Sequence, residues 1–146
     1  MSEIFLSVGS NIDPAKHIPA CIKALKKKFD VKAVSSIYET RPVGPAGKNN
    51  FWNFAAVIET DLDREKLRRE LVAIESSLGR TRDSSNKFAP RTIDIDILPQ
   101  KDYERFAFIM VPLAEIAPQY ASLARALKKK GGIRRITHVH PWGVRG

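Results

Sequence analysis

The sequence predicts an α+β protein in which helices pack on an antiparallel sheet. A β-branched strand pattern near the N-terminus runs into a Gly-Ser-Asn turn, two later segments carry apolar residues at helical spacing, and further β-rich segments lie between and after them. The predicted elements follow the order β-α-β-β-α-β over residues 4–98. This order is typical of the split βαβ, or ferredoxin-like, arrangement.

The first strand and helix are predicted from residues 4–8 and from the segment that follows them. Asp13 is a favoured N-cap residue, and Pro14 suits the first position of a helix. Pro19 lies further inside the same apolar pattern, where a proline removes a backbone donor. We therefore expect this helix to begin late or irregularly.

Two strands and a second helix come next. The strands are predicted at residues 31–38 and 51–60, and a Pro/Gly-rich loop joins them. Asp63 is the expected N-cap of the helix and Gly79 its C-terminal stop. The apolar stripe of this helix consists of Leu67, Leu71, Ile74 and Leu78.

The C-terminal part is predicted to hold one short strand and one helix. The strand is expected at residues 106–111 and the helix at residues 119–130, with Leu123 and Leu127 facing inward. We expect residues 1–130 to form a single domain.

Residues 131–146 are predicted to form a basic C-terminal tail. Two glycines open it, and a later Pro-Trp-Gly segment disfavours regular structure. We expect a mobile or loosely docked extension. The alternative is that Arg134 and Arg135 fold back and contact phosphate groups.

Composition narrows the class of protein. The 146 residues are 43% hydrophobic and 28% charged, and their net charge of +9 could attract nucleic acid, acidic lipid or small polyphosphates. No apolar run reaches the ~20 residues of a membrane span. The first residues lack a signal-peptide layout, and the single cysteine, Cys21, is expected to be a buried thiol. We expect a cytoplasmic monomer.

The three histidines lie at positions 17, 138 and 140, away from the centre of the chain. No histidine or cysteine cluster has the spacing of a zinc site, and histidine-based activation of a nucleophile is disfavoured. The chemistry is therefore expected to depend on metal ions and on positioning.

The most informative segment carries Asp94 and Asp96 on an isoleucine-rich strand. Alternate strand residues point to the same face, so the two carboxylates share one face, with Cα atoms roughly 6.5 Å apart. Hard oxygen ligands of this kind suit Mg²⁺ together with substrate phosphates. The alternative is a merely solvated polar face. Because Asp is depleted in strands, we favour a metal–polyphosphate site.

Cationic side chains lead into this strand within a short stretch. Arg80, Arg82, Lys87 and Arg91 precede Asp94. Guanidinium groups bind phosphate oxygens through two parallel hydrogen bonds, and phosphoryl transfer needs little beyond positioning and charge stabilisation. The stretch is therefore interpreted as a phosphate-binding segment, and the alternative is a solvated charged face.

Five segments of the sequence carry a further signal when taken together. They are FLSVGSN at 5–11, SSIYETRPVGP at 35–45, IESSLGRTR at 74–82, APRTIDIDI at 89–97 and FIMVPLAEIAP at 108–118. In this order they resemble one family, the 6-hydroxymethyl-7,8-dihydropterin pyrophosphokinases of folate synthesis. The resemblance covers roughly residues 4–118, and its most specific part is the Pro-Arg-Thr-Ile-Asp-Ile-Asp segment. The fold of that family is ferredoxin-like α+β.

The resemblance implies transfer of the pyrophosphoryl group of ATP to the pterin hydroxymethyl group, with release of AMP. It implies two Mg²⁺ ions held by Asp94 and Asp96, and ATP and the reduced pterin as partners. The catalytic residues would be Arg82, Arg91, Asp94 and Asp96. ATP would be contacted by Glu75, Arg80, Arg82, Phe88, Arg91 and Ile97. The pterin would be contacted by Thr40, Pro42, Val43, Phe51, Asn53 and Phe108.

The sequence departs from that family between the second aspartate and Phe108. The intervening segment is short and contains no histidine, Phe106 stands where an arginine is expected, and Arg105 is displaced by one position. Phe51 stands where a tyrosine is common. Two other hypotheses are therefore kept: a pterin- or nucleotide-binding relative that has lost turnover, and an RNA-binding ferredoxin-like module. The second is disfavoured because no strand carries an RNP1-type aromatic cluster.

Overall fold

A computed structural model describes residues 2–40, 50–79 and 92–136. Two short 3₁₀ turns, Tyr103–Arg105 and Pro118–Tyr120, flank the third helix. The strands are β1 (Ser2–Ser10), β2 (Asp30–Val34), β3 (Ile37–Thr40), β4 (Phe51–Thr60), β5 (Asp94–Ile97) and β6 (Ile133–Ile136). The helices are α1 (Pro14–Lys28), α2 (Arg64–Ser77), α3 (Ala107–Ile116) and α4 (Ala121–Lys128).

The six strands form one antiparallel sheet in the order β5-β1-β4-β3-β6, and β2 also pairs with β4. If β2 and β3 are counted as one interrupted strand, β1 to β5 have the order of a split βαβ sheet. The predicted α+β, ferredoxin-like fold is confirmed. No helix in the described parts of the chain is long and apolar enough to cross a membrane.

Each face of the sheet covers its own hydrophobic core. The first core lies under α1 and α2 and includes Leu6, Val8 and Phe54, none of which is exposed to solvent. The second core lies under α3 and α4 and includes Ala55 and Met110. Successive strand residues thus alternate between the two cores, as a period of two requires.

The two long helices begin differently. α1 starts at Pro14 although Pro19 lies inside it, so the helix does not begin late, but its start is irregular. Asp13 occupies the N-cap position with a left-handed backbone (φ 44°), and its side chain makes no capping hydrogen bond. In α2, by contrast, Asp63 caps as predicted: its Oδ1 accepts a hydrogen bond from the Lys66 N–H at 2.8 Å. Gly79 follows α2 at φ 88°, which is the expected glycine stop.

The predicted strand at 31–38 is interrupted at two serines. Ser35 donates its N–H to the Ala55 carbonyl, and its Oγ accepts the Ala55 N–H, both at 2.8 Å. A side chain thus takes the place of one ladder partner at the junction of β2 and β3. The sequence pattern alone does not distinguish this junction from a continuous strand.

The predicted strand at 106–111 is wrong, because this segment begins α3. Ile109, Met110, Val111 and Leu113 are all buried, since α3 lies between the sheet and α4. A helix that is apolar on all sides has no amphipathic period, and a short apolar run cannot be assigned by periodicity alone. The predicted final helix is confirmed in shorter form, with Leu123 and Leu127 packed against the second core.

The expectation of an irregular tail is wrong for residues 133–136. Gly131 and Gly132, at φ 80° and 82°, reverse the chain after α4, and β6 then pairs with β3. Ile136 enters the first core. Residues 137–146 lie outside the described part of the chain.

Cys21 is completely buried in the first core, as predicted. Burial raises the pKa of its thiol far above the ordinary value, because the thiolate would lose its hydration. A nucleophilic role for Cys21 is therefore disfavoured.

Candidate active site

One row of paired residues crosses the sheet on the face of the second core. Asp94 of β5 lies opposite Gly9 of β1, Gly9 lies opposite Asn53 of β4, and Asn53 lies opposite Tyr38 of β3. Directly paired residues point to the same face of a sheet. The row therefore places a carboxylate and an amide on one surface with only a glycine between them.

The two aspartates share this face, as the alternation predicted. Asp96 lies two residues further along β5 than Asp94 and is paired with Ser7 of β1. Both carboxylates are half-buried. Ile93, Ile95 and Ile97 are buried in the first core on the other face. The strand is therefore anchored by its isoleucines and presents its acids to the site.

Gly9 is required by the close approach of Asn53. A Cβ atom on residue 9 would lie 2.7 Å from the Asn53 Oδ1 atom, closer than real Cβ contacts allow. The amide thus lies over the glycine, in the direction of Asp94. Two strand spacings separate β4 from β5, so the amide and the carboxylate arise from strands about 10 Å apart.

The Asn53 side chain is fixed on its other side by Thr40. Its Nδ2 donates to the Thr40 Oγ1 at 3.1 Å, and only 4% of the residue is exposed. Thr40 is paired with Phe51 across the β3–β4 ladder. Three of the residues predicted to bind substrate therefore lie together at one end of two neighbouring strands.

Phe108, also predicted to bind substrate, lies in the first turn of α3 on the same side of the sheet. It is half-buried, and its ring centroid lies 5.2 Å from that of Phe106, with 33° between the planes. Phe106 is 41% exposed. Arg105 lies in the preceding 3₁₀ turn and is exposed.

The short connection from β5 to α3 is held by a tyrosine pair. The hydroxyl oxygens of Tyr103 and Tyr120 are 3.1 Å apart, and their rings meet edge to face with centroids 6.2 Å apart. The hydrogen bond with Tyr120 raises the pKa of Tyr103 to about 12. The two 3₁₀ turns that flank α3 are thereby joined.

Glu75, predicted to contact ATP, is 2% exposed at the inner side of α2. Its Oε2 accepts the Ile95 N–H at 2.7 Å. Ile95 stands between the two aspartates, so this hydrogen bond fixes the strand that carries them. The positioning role was not predicted, although a glutamate on the apolar side of a helix is itself an unusual feature.

Glu115 on α3 is a glutamate that the sequence does not single out. It accepts hydrogen bonds from the Ser36 N–H and from the Tyr38 hydroxyl. Burial, followed by the hydrogen bond with Glu115, raises the pKa of Tyr38 above its ordinary value. Glu115 thus ties α3 to the start of β3. No local pattern announces this contact, because the partners are far apart in the chain.

Several predicted residues cannot be placed. The described parts of the chain contain no group of three or more His, Cys, Asp or Glu side chains that could hold a metal ion, and the acidic pair is the relevant donor set. The predicted residues outside the described ranges are Pro42, Val43, Arg80, Arg82, Phe88 and Arg91.

The fold and the site define a small α+β protein with an acidic pair and a buried amide side by side on one sheet face. Residues 5–118 match the family described as 7,8-dihydro-6-hydroxymethylpterin-pyrophosphokinase (HPPK). This match covers most of the chain. The protein belongs to the HPPK family.

Individual relatives support the assignment, and each is named 2-amino-4-hydroxy-6-hydroxymethyldihydropteridine pyrophosphokinase. The Pseudomonas aeruginosa protein is 33% identical over 135 positions, covering 81% of this chain and 82% of the relative. The Methylorubrum extorquens protein is 33% identical over 159 positions, covering 93% and 99%. The Bacillus subtilis protein is 33% identical over 162 positions, covering 92% and 95%. The last two alignments exceed the 146 residues of this chain, so those relatives carry segments that it lacks.

Proposed function

We propose that the protein transfers the pyrophosphoryl group of ATP to the hydroxymethyl group of 6-hydroxymethyl-7,8-dihydropterin and releases AMP, a step of folate synthesis. The family match over residues 5–118 and the names of the relatives support this activity. The single observation that carries it is the row that sets Asp94 beside the Asn53 amide across Gly9. This row offers neighbouring places for a metal-bound polyphosphate and for a hydrogen-bonding ring.

The donor set fits Mg²⁺ brought in with ATP. Asp94 and Asp96 supply hard carboxylate oxygens on one face, the ligand type that Mg²⁺ takes when it binds through one or two carboxylates and substrate phosphates. We propose that both aspartates hold the ions, and that two ions bind. Bound Mg²⁺ supplies positive charge against the phosphate oxygens.

We propose that the pterin binds beside the hydrogen-bonded pair of Thr40 and Asn53. The Asn53 amide has both donor and acceptor atoms, which suits the edge of a flat heterocycle, and Phe108 supplies an aromatic face. Phe51 borders the proposed pocket, and we propose that Pro42 and Val43, which lie outside the described residues, contact the pterin as well. The new bond joins the hydroxymethyl oxygen to the β-phosphorus, the bond between this phosphorus and the α,β-bridging oxygen breaks, and the hydroxyl proton is released.

The nucleotide is proposed to lie on the β5 side. Arg82 and Arg91 would bind phosphate oxygens, and Arg80 and Phe88 would border the nucleotide. The side chains of Glu75 and Ile97, which were predicted to contact ATP, are buried on the first-core side of β5, so we propose that they act by positioning that strand. The buried Glu75 carboxylate, bound to the Ile95 N–H, supports a positioning role at this place as well. We also propose that the protein is a cytoplasmic monomer and that it binds neither nucleic acid nor a membrane.

A second candidate is a relative that binds pterin and ATP without turnover. The observation that favours it is the exposed Phe106 ring, which stands where the family resemblance leads us to expect an arginine. The experiment incubates the protein with ATP, Mg²⁺ and the pterin alcohol, and follows nucleotides by ³¹P NMR. Formation of AMP that requires the pterin supports the transferase. Binding of both ligands without AMP supports the second candidate, and failure to bind the pterin contradicts both.

A further inference from the structure

The C-terminal strand brings an arginine to the proposed pterin end of the sheet. β6 pairs with β3 over four residues, and Arg134 lies directly opposite Glu39. The Arg134 Nε and Nη2 atoms both bond to the Glu39 Oε1, at 2.9 and 2.8 Å. This ion pair joins two residues that are 95 positions apart in the chain.

The Glu39 carboxylate is shared between three strands. Its Oε2 accepts the Trp52 Nε1–H at 3.3 Å, and Trp52 is its direct partner on β4. Only 19% of the Glu39 side chain is exposed, whereas Arg134 is 76% exposed. Arg134 lowers the pKa of the Glu39 carboxyl group. The carboxylate therefore joins β6, β3 and β4 at one point.

This point lies directly behind the proposed pterin pocket. Glu39 stands between Tyr38 and Thr40, and Trp52 stands between Phe51 and Asn53, on the opposite face of the same two strands. On the pocket side, the hydrogen bond from Asn53 to Thr40 connects β4 to β3. A change in the relative position of β3 and β4 at Glu39 would therefore move both pocket residues.

A cleft of about 280 Å³ also opens at this end of the sheet. The described residues that line it come from the ends of β3 and β6 and from the start of β4, so the Arg134–Glu39 pair and Thr40 border the same space. They are Glu39, Thr40, Asn50, Gly132, Ile133 and Arg134.

We propose that Arg134 is a positioning residue for the pterin: through Glu39 it fixes β3 against β4 and so holds Thr40 and Asn53 in the geometry that binds the ring. This inference rests on the proposed function, because it takes the Thr40–Asn53 pair as the pterin site. If it is correct, β6 contributes to the affinity for the pterin. Loss of Arg134 should then weaken binding of the pterin but not binding of ATP.

The test is titration calorimetry of the full chain with Arg134→Ala, Arg134→Lys and Glu39→Gln. We expect Arg134→Ala to raise the Kd of 6-hydroxymethyl-7,8-dihydropterin about threefold to fivefold, the scale of one partly exposed ion pair. The Kd of ATP with Mg²⁺ should stay within error. Arg134→Lys should recover part of the loss, and Arg134→Ala combined with Glu39→Gln should be no worse than Glu39→Gln alone. The matched control is Arg69→Ala, which removes an exposed Arg–Glu pair on α2.

Ionic strength provides a second readout that loss of folded protein would not produce. Salt screens exposed ion pairs, so the pterin Kd of the unmodified chain should rise with added NaCl, and that of Arg134→Ala should rise less. An unchanged pterin Kd in Arg134→Ala, or an equal loss of pterin and ATP affinity, overturns the inference. If the unmodified chain itself binds no pterin, the proposed function fails instead.

Discussion

At the residue scale, the site depends on what is missing at position 9. The absence of a Cβ lets the Asn53 amide lie over β1, in the direction of Asp94. The position of Asp94 and Asp96 on the same face could be predicted from the sequence, since alternate residues of any strand point to the same side. The need for glycine could not be predicted, because Gly9 and Asn53 meet only through the β1–β4 register.

Gly9→Ala should therefore displace the Asn53 side chain. We expect a loss of stability of about 1–3 kcal/mol, as in other overpacked sites, together with weaker pterin binding. Urea unfolding measures the first effect and calorimetry the second. In Gly9→Ala combined with Asn53→Ala the clash is removed, so stability should partly recover. If the double variant loses as much stability as the two single variants together, then the clash with Asn53 is not the reason that alanine destabilises position 9.

The ion pair of Glu39 gives stability a pH dependence with a defined sign. Its folded-state pKa lies below the ordinary value of 4.5, so folding favours the charged carboxylate. The contribution is present above about pH 4.5 and is lost as the pH falls through the folded-state pKa. The Tm difference between the unmodified chain and Glu39→Gln should shrink on acidification from pH 7 to 3. A difference that is constant over this range would contradict the assigned ion pair.

At the element scale, local patterns predicted the parts of the fold that have a polar side. α2 alternates apolar and charged residues and has a capping aspartate, and β1 and β4 carry long β-rich runs. The start of α3 has a sequence that predicts a strand, because nearly all residues of this helix are apolar and no polar stripe reveals its period. The sequence does not predict β6, because the main determinant of this strand is its pairing with β3, which four residues of sequence do not reveal.

The contact of α3 with the β2–β3 junction should be measurable in stability. Glu115→Ala removes the acceptor of the Tyr38 hydroxyl and of the Ser36 N–H, and because Glu115 itself is exposed we expect a loss of stability of about 1 kcal/mol. Tyr38→Phe removes one donor only and should be milder. Glu104→Gln, an exposed acid before α3, is the control for charge. Equal stability of Glu115→Ala and the control would show that α3 is not held at this junction.

At the scale of the whole molecule, the two faces of the sheet have separate tasks. The first core, under α1 and α2, anchors the isoleucines of β5, while the opposite face carries Asp94, Asp96, Asn53 and Phe108. The net charge of +9 is consistent with an anionic substrate such as ATP. The family could be identified from the sequence because its segments are spread along residues 5–118, which match the HPPK family.

The most direct test separates the acidic pair from the proposed pterin pocket. Asp96→Asn and Asn53→Ala are compared with the unmodified chain for AMP formation with Mg²⁺ and ATP saturating, and for pterin Kd in calorimetry with a non-hydrolysable ATP analogue in place of ATP. We expect Asp96→Asn to remove nearly all AMP formation but to leave the pterin Kd within about twofold, since lost metal charge at the phosphates is not replaced by water. Asn53→Ala should instead raise the pterin Kd by about tenfold, the equivalent of one unpaired ring edge. Near-normal AMP formation by Asp96→Asn would contradict the proposal that the acidic pair of β5 holds metal ions at the transferred phosphates.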